Sequence, residues 1–279
     1  MNILLLTDFS ELSEYARFMA DKCSSTLEAN LHVLKIIDIP SEIELNNEGE
    51  PLSGMAGDVQ HLLEDRDQAL STMSSWISDL KSNVQSAVIF GHFQKSAKDY
   101  IDKHEIDLVV MGTHGVSGIK EFLSGSMTES LIKNNRVPVL SLKCDRSDVA
   151  FEHLLITGDF EGVIDFEVIQ KIQKVFNSKI HLLSVIKDVD REESRLTKME
   201  NFIIDNHLDN TLCHTVVSDD KEQGIEKFMN KYEVDNQLSF ELLAVEKKDK
   251  SALGYLFTGC QATSIVNHVW RPILTYLKK

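Results

Sequence analysis

The feature that most constrains this chain is that it repeats itself. Leu4-Leu5-Leu6-Thr7-Asp8-Phe9 resembles Leu154-Leu155-Ile156-Thr157-Gly158-Asp159-Phe160, and His32-Val33-Leu34-Lys35-Ile36-Ile37 resembles His181-Leu182-Leu183-Ser184-Val185-Ile186, at an offset of about 150. Further along, Asp107-Leu108-Val109-Val110 matches Glu241-Leu242-Leu243-Ala244, Gly125 matches Gly259, and Pro138-Val139-Leu140 matches Pro272-Ile273-Leu274, all at an offset of 134. The two copies are expected to fold alike, the second having lost residues in its middle. A length of 279 residues agrees with this, because domains commonly run about 100 to 150 residues.

Within the first copy, Ile3-Leu4-Leu5-Leu6-Thr7 is a continuous apolar run ending in Asp8, the pattern of a parallel strand covered on both faces. Ser10 is placed to cap a helix in which Leu12, Tyr15, Ala16, Met19 and Ala20 recur at helical spacing. Leu31 to Ile37 follows as a strand. Residues 39 to 57 carry two of the four prolines and glycines at 49, 54 and 57, which marks a long surface connection. The pattern then predicts a helix over Asp58 to Leu80, a strand at Val84 to Phe90, a helix near Lys95 to Lys103 and a strand at Leu108 to Met111. A helix from about Ser126 and a strand at Val137 to Leu142 complete the unit. Strands alternating with crossover helices imply a parallel sheet. The expectation is therefore an α/β chain of two tandem five-stranded parallel-sheet domains, 1–146 and 150–279, with Asp145-Arg146-Ser147-Asp148 as linker. The shortening of the second copy is expected after its second strand, where it runs directly into Asp188-Val189-Asp190.

Charge narrows the partners. The net charge is −15, and Lys plus Arg against Asp plus Glu counts 13 to 22 over residues 1–146 and 16 to 22 over the remainder. Neither copy has the clustered basic surface that displaces counterions from nucleic acid or holds an anionic membrane, so both are disfavoured as partners. Cys23, Cys144, Cys213 and Cys260 are scattered without CxxC spacing, which gives no metal or redox motif. With no signal-peptide pattern after Met1 and no apolar run of membrane-spanning length, the expected compartment is cytoplasmic.

The chemistry is concentrated in Met111-Gly112-Thr113-His114-Gly115, followed by Gly125-Ser126 at the start of a predicted helix. Gly112 and Gly115 let the backbone approach a phosphate without Cβ obstruction. Gly125 and Ser126 offer amide donors at the positive end of a helix, and the Ser126 hydroxyl adds another. The same glycines also suit a plain tight turn, and Asp8 also suits a role in capping the helix after it.

This spacing, the Met-Gly-Thr-His-Gly wording and the opening Thr-Asp-Phe-Ser resemble the ATP-binding members of the universal stress protein family over the first 143 residues. The resemblance implies the adenine nucleotide alpha hydrolase-like, Rossmann-like fold, with adenosine at the carboxyl ends of strands one and two. It implies that Asp8, with Thr7 beside it, meets the nucleoside and that the backbone at Ile36 faces adenine. Met111, Gly112, Gly115, Gly125, Ser126 and Met127 would wrap the ribose and phosphates. The cofactor expected is ATP, with Mg²⁺ helping a polyanion onto an acidic protein. The family also associates in pairs, which implies a pseudo-twofold pairing of the two copies through the apolar segments 137–142 and 272–277; a homodimer beyond that is left open.

In the second copy the loop is Val245-Glu246-Lys247-Lys248-Asp249, followed by Gly259-Cys260. Glu246 and Asp249 bring side chains and negative charge where glycines stand in the first copy, and an extra Gly158 shifts the pattern around Asp159, so phosphate binding is expected in the first copy alone. No catalytic residue is assigned: His114 lies in the loop with no carboxylate placed to orient it, and no Walker lysine or nucleophile elbow is present. The alternatives to a nucleotide-binding stress or signalling module are a slow ATP hydrolase, an interaction protein with a vestigial ligand site, and a site for another anion.

Overall fold

The structure is a computed structural model, and it describes residues 1–52, 56–112, 131–132, 136–142, 148–162, 164–246 and 271–278. These residues fall into two compact units, Met1–Asn135 and Arg136–Lys279. Each unit is an α/β layer structure with a mostly parallel sheet.

In the first unit β1 (Asn2–Leu6), β2 (Asn30–Ile37), β3 (Val84–Phe90) and β4 (Leu108–Gly112) lie in the spatial order β3-β2-β1-β4, all parallel. The connecting helices are α1 (Glu11–Thr26), α2 (Ala56–Trp76) and α3 (Phe93–Lys103). Ile3, Leu4 and Leu5 of β1 and Leu108, Val109 and Val110 of β4 are fully buried, as their unbroken apolar runs require of central strands. Helix α1 starts where expected: the Ser10 hydroxyl accepts the Ser13 N–H at 3.3 Å. Leu131 and Ile132 are helical and buried, but the predicted helix start near Ser126 lies outside the described residues.

The second unit repeats this order. Its strands β6 (His153–Thr157), β8 (Lys179–Ile186), β9 (Thr211–Val217), β10 (Leu242–Glu246) and β11 (Ile273–Lys278) form the parallel run β9-β8-β6-β10-β11. Its helices are α4 (Glu167–Phe176), α5 (Glu192–Asp205) and α6 (Lys221–Asn236). Strand β5 (Val139–Leu142) pairs antiparallel with β11, Leu140 opposite Leu274, and the Val139 N–H also donates to the Thr275 hydroxyl at 3.1 Å. That ladder groups the segment 139–142 with the second unit, although its sequence reads as the last strand of the first copy.

Register dates the difference in length. Leu31 pairs with Val84, 53 residues on, whereas its counterpart Ile180 pairs with Thr211, only 31 residues on. The loss falls after the second strand, where residues 38–55 separate β2 from α2 while residues 187–191 separate β8 from α5. Part of it is regained in α6, 16 residues long against 11 in α3.

Register also corrects the alignment at the first strand. Leu4 lies opposite His32 and Val109, and Leu155 lies opposite their counterparts His181 and Leu243. Gly158 is therefore not an extra residue: it stands in the place of Thr7, Asp159 in that of Asp8, and Phe160 in that of Phe9. The backbone agrees. The N–H groups of Thr7 and Gly158 both donate to the leucine carbonyl at the matching point of the next strand, Leu34 and Leu183, at 3.1 Å. Phe9 and Phe160 both have positive φ, 64° and 55°.

A row of three imidazoles crosses the second unit's sheet. His153 Nδ1 lies 3.1 Å from His181 Nε2, and His181 Nδ1 lies 3.1 Å from His214 Nε2, with Tyr232, Phe228 and Phe240 packed against the rings. His181 is fully buried. In the first unit the equivalent His32 meets the Tyr100 hydroxyl at 3.2 Å and the His104 ring at 5.2 Å.

Candidate functional site

Strand order reverses beside β1, since β2 and β3 lie to one side and β4 to the other. At such a switch point the crossovers leave in opposite directions and the carboxyl ends of the two central strands open a crevice. Leu6 lies opposite both Leu34 and Met111, so Thr7 and Asp8 leave β1 next to Met111 and Gly112 at the end of β4. Ile36 lies two residues past Leu34 near the end of β2, opposite Ile89, and is buried. The fold thus brings Thr7, Asp8, Ile36, Met111 and Gly112 to one end of three adjacent strands. Gly115, Gly125, Ser126, Met127 and His114 lie outside the described residues.

Asp8 is built in by its neighbours. Its Oδ1 accepts the Ser10 N–H at 2.9 Å and the Ser13 hydroxyl at 2.6 Å, while its own N–H donates to the Ser13 hydroxyl at 3.2 Å. The Phe9 N–H donates to the Thr7 hydroxyl at 2.9 Å, which fixes the tight turn in which Phe9 takes its left-handed φ. Burial opposes ionisation of Asp8, but the donors from Ser10 and Ser13 and the field of Lys35 outweigh it and hold the carboxyl below its ordinary range. Asp8 therefore serves both the helix start and the crevice: it orders the first turn of α1 and presents an acceptor-only carboxylate.

Two contributors were not legible as site residues. Ser13 is buried and is the partner that Asp8 uses twice; its only sequence signal is the Ser10-x-x-Ser13 spacing behind Asp8. Lys35 precedes Ile36, and its ammonium sits 5.7 Å from the centroid of the Phe9 ring. Burial lowers the Lys35 pKa even though Asp8 and Asp65 pull it upward. A lysine between the apolar pairs Val33-Leu34 and Ile36-Ile37 is the available clue.

Gly112 has a structural task of its own. A Cβ there would lie 2.9 Å from the Leu12 carbonyl carbon and oxygen and 3.0 Å from the Leu12 Cβ, so glycine is needed for α1 to approach the end of β4. Its counterpart in the second unit is Glu246, consistent with Val245 standing opposite Thr157 as Met111 stands opposite Leu6.

The same end of the second unit is filled differently. Asp159 keeps the turn, its Oδ1 accepting the Glu161 N–H at 3.0 Å as Asp8 accepts that of Ser10. Helix α4, however, begins only at Glu167, and the preceding β7 (Ile164–Asp165) pairs antiparallel with Leu277 and Lys278 at the end of β11. Arg195 on α5 donates to the Asp159 carbonyl at 2.6 Å, and Lys198 reaches Glu161 at 2.5 Å. Among the described residues no cluster of three or more His, Cys, Asp or Glu could hold a metal ion, and no helix is long and apolar enough to cross a membrane.

Comparison with known proteins agrees with the geometry. The family model described as universal stress protein family matches residues 1–143. Two universal stress proteins of Methanocaldococcus jannaschii are similar to this chain: one is 29% identical over 152 residues, covering 50% of this chain and 93% of the relative. The other is 27% identical over 143 residues, covering 50% of this chain and 81% of the relative. Among solved structures, a universal stress protein from Archaeoglobus fulgidus is similar in fold over 100% of this chain and 98% of its own, with a TM-score of 0.67 at 16% identity. With more than half of its length matched by the family model, and with the parallel strand order that places Thr7, Asp8, Met111 and Gly112 together, the chain belongs to the universal stress protein family.

Proposed function

We propose that the chain is an ATP-binding stress or signalling module that takes one nucleotide, in the domain comprising residues 1–146. The observation carrying this reading is the convergence of Thr7, Asp8, Met111 and Gly112 at the carboxyl ends of β1 and β4, where the strand order reverses. Asp8, acceptor-only and held ionised, suits the hydroxyls of a ribose. The backbone at Ile36 would face adenine. Gly115, Gly125, Ser126 and Met127 would close over the ribose and phosphates, their amides supplying the donors that an acidic protein otherwise lacks. Mg²⁺ would offset the repulsion between the polyanion and a net charge of −15.

No residue in this site is assigned a catalytic role, and the protein is read as a cytoplasmic binding module. Its two copies are proposed to associate as a pseudo-twofold pair through the apolar segments 137–142 and 272–277; separately expressed halves that remain monomeric and fully stable would count against that pairing. Calorimetry with ATP, with and without Mg²⁺, and mass spectrometry of nucleotide retained through purification test the binding directly. One site per chain is expected. Two equivalent sites would contradict the reading, and ADP accumulating in step with protein concentration would convert it to a slow hydrolase.

A further inference from the structure

The second unit has the same strand reversal between β6 and β10, and its carboxyl end is spanned by a side chain of its own. Glu246 stands opposite Tyr276, and Val245 opposite Thr157, so Gly158, Glu246 and Tyr276 form one row across three strands. The Tyr276 ring crosses the end of β10 toward β6 and is 1% exposed. Its hydroxyl donates to the Thr157 carbonyl at 2.7 Å. A Cβ on Gly158 would overlap that hydroxyl, so the tyrosine hydroxyl takes the space a side chain would need at the position that Thr7 has in the first unit. Phe166 packs edge-on against the ring at 6.1 Å, Phe202 packs edge-on against Phe166 at 5.2 Å, and Phe160 meets Phe202 at 5.4 Å. The β7 ladder to Leu277 and Lys278 pins the strand just beyond Tyr276.

The residues at the matching positions of the first copy are Thr7 and Leu142. Between the copies, threonine has become glycine on one strand while leucine has become tyrosine two strands away. These are complementary changes of volume. A phenol ring is flat and large, it is donor-capable at one end, and here it meets Phe166 edge-on with its hydroxyl on a strand-end carbonyl, the kind of contacts that hold a planar aromatic ligand.

We propose that Tyr276 is the built-in occupant of the second unit's crevice, that Gly158 is the residue that makes room for it, and that this pair excludes ligand from the second unit. The exclusion rests on the reading that the equivalent crevice of the first unit takes a nucleotide. The pair itself is testable without any nucleotide.

The experiment is thermal unfolding of the full chain in a double-mutant cycle, Gly158→Ala and Tyr276→Phe, together with Tyr276→Ala titrated with p-cresol, the free equivalent of the missing side chain. Gly158→Ala is expected to lower the transition temperature by several degrees in the native background and to cost little in the Tyr276→Phe background, where the colliding oxygen is gone. Strictly additive losses would overturn the pairing. Tyr276→Ala is expected to lose stability that p-cresol restores, with no response from the native protein. If Tyr276→Ala folds only with p-cresol present, the proposal stands; if p-cresol neither stabilises nor refolds it, Tyr276 is ordinary core and the proposal fails.

Discussion

The two units share a strand order and fill its carboxyl end with different residues. In the first, Asp8 and the turn at Phe9 are ordered by α1 itself, through Ser10 and Ser13, and Gly112 lets that helix close on the end of β4. In the second, the turn at Asp159 survives, but the helix starts later, β7 takes up the intervening chain, and Tyr276 lies across the strand ends. A repeated fold preserves what every copy needs, namely the buried strands and the tight turn, while the open end is free to bind or to close. Three substitutions among the described residues accompany the difference: Thr7 against Gly158, Gly112 against Glu246, Leu142 against Tyr276.

The largest expected effect is on binding. Gly115→Val or Gly125→Val places a β-branched side chain in the phosphate path, and each is expected to weaken ATP binding about 100-fold, or about 3 kcal/mol, with circular dichroism unchanged. Undiminished affinity in a folded Gly115→Val protein would erase the proposed distinction between the copies.

Acid should separate the units next. Burial depresses His181 to about 3 and His214 to about 4, each reinforced by a neighbouring charge: His214, His153 and Lys179 at His181, and Lys179 at His214. Both rings are ordinary imidazoles when unfolded, so the unfolded second unit binds more protons below about pH 6.5. Stability from this row is complete above that pH and falls as pH drops toward the folded values. Allowing for solvent screening at half-buried His214, the loss is about 2 kcal/mol by pH 5. Hydrogen exchange of the two units between pH 7 and 5 should show the second opening first. His181→Phe, which removes the titrating ring, should flatten that dependence.

A smaller effect tests the packing of the first unit. Gly112→Ala drives a Cβ into the Leu12 backbone and should cost about 1 to 2 kcal/mol by denaturant unfolding. A cost near zero would mean that the close approach of α1 to the end of β4 does not depend on the glycine. Smallest is Ser13→Ala, which removes one donor from Asp8 and should cost about 1 kcal/mol while raising the Asp8 pKa, read by NMR titration of its carboxyl. Since Asp8 contributes stability above its unfolded pKa that is lost as pH falls through the folded one, the variant, with its folded pKa nearer the unfolded one, should lose less stability over that range, and the two proteins should converge in acid.

The sequence by itself determined the repeat, the alternation of strands and helices, and the N-cap at Ser10, because buried parallel strands need unbroken apolar runs and a helix start needs a short polar side chain at a fixed spacing. It also located the shortened connection after the second strand, since a surface loop rich in proline and glycine is where a chain loses residues without disturbing its core. What only the tertiary structure decided was correspondence across strands. Gly158 reads as an insertion along the sequence; hydrogen-bonded to Leu183 on one side and one residue past the Thr157–Val245 pair on the other, it takes the place of Thr7. Gly112 read as room for a ligand and proved also to be room for Leu12. Tyr276 and Gly158 are 118 positions apart, and nothing local to either announces the other. Their contact exists because two parallel ladders set three strand ends level, and a side chain's neighbours in a sheet are fixed by register, which sequence spacing alone does not specify.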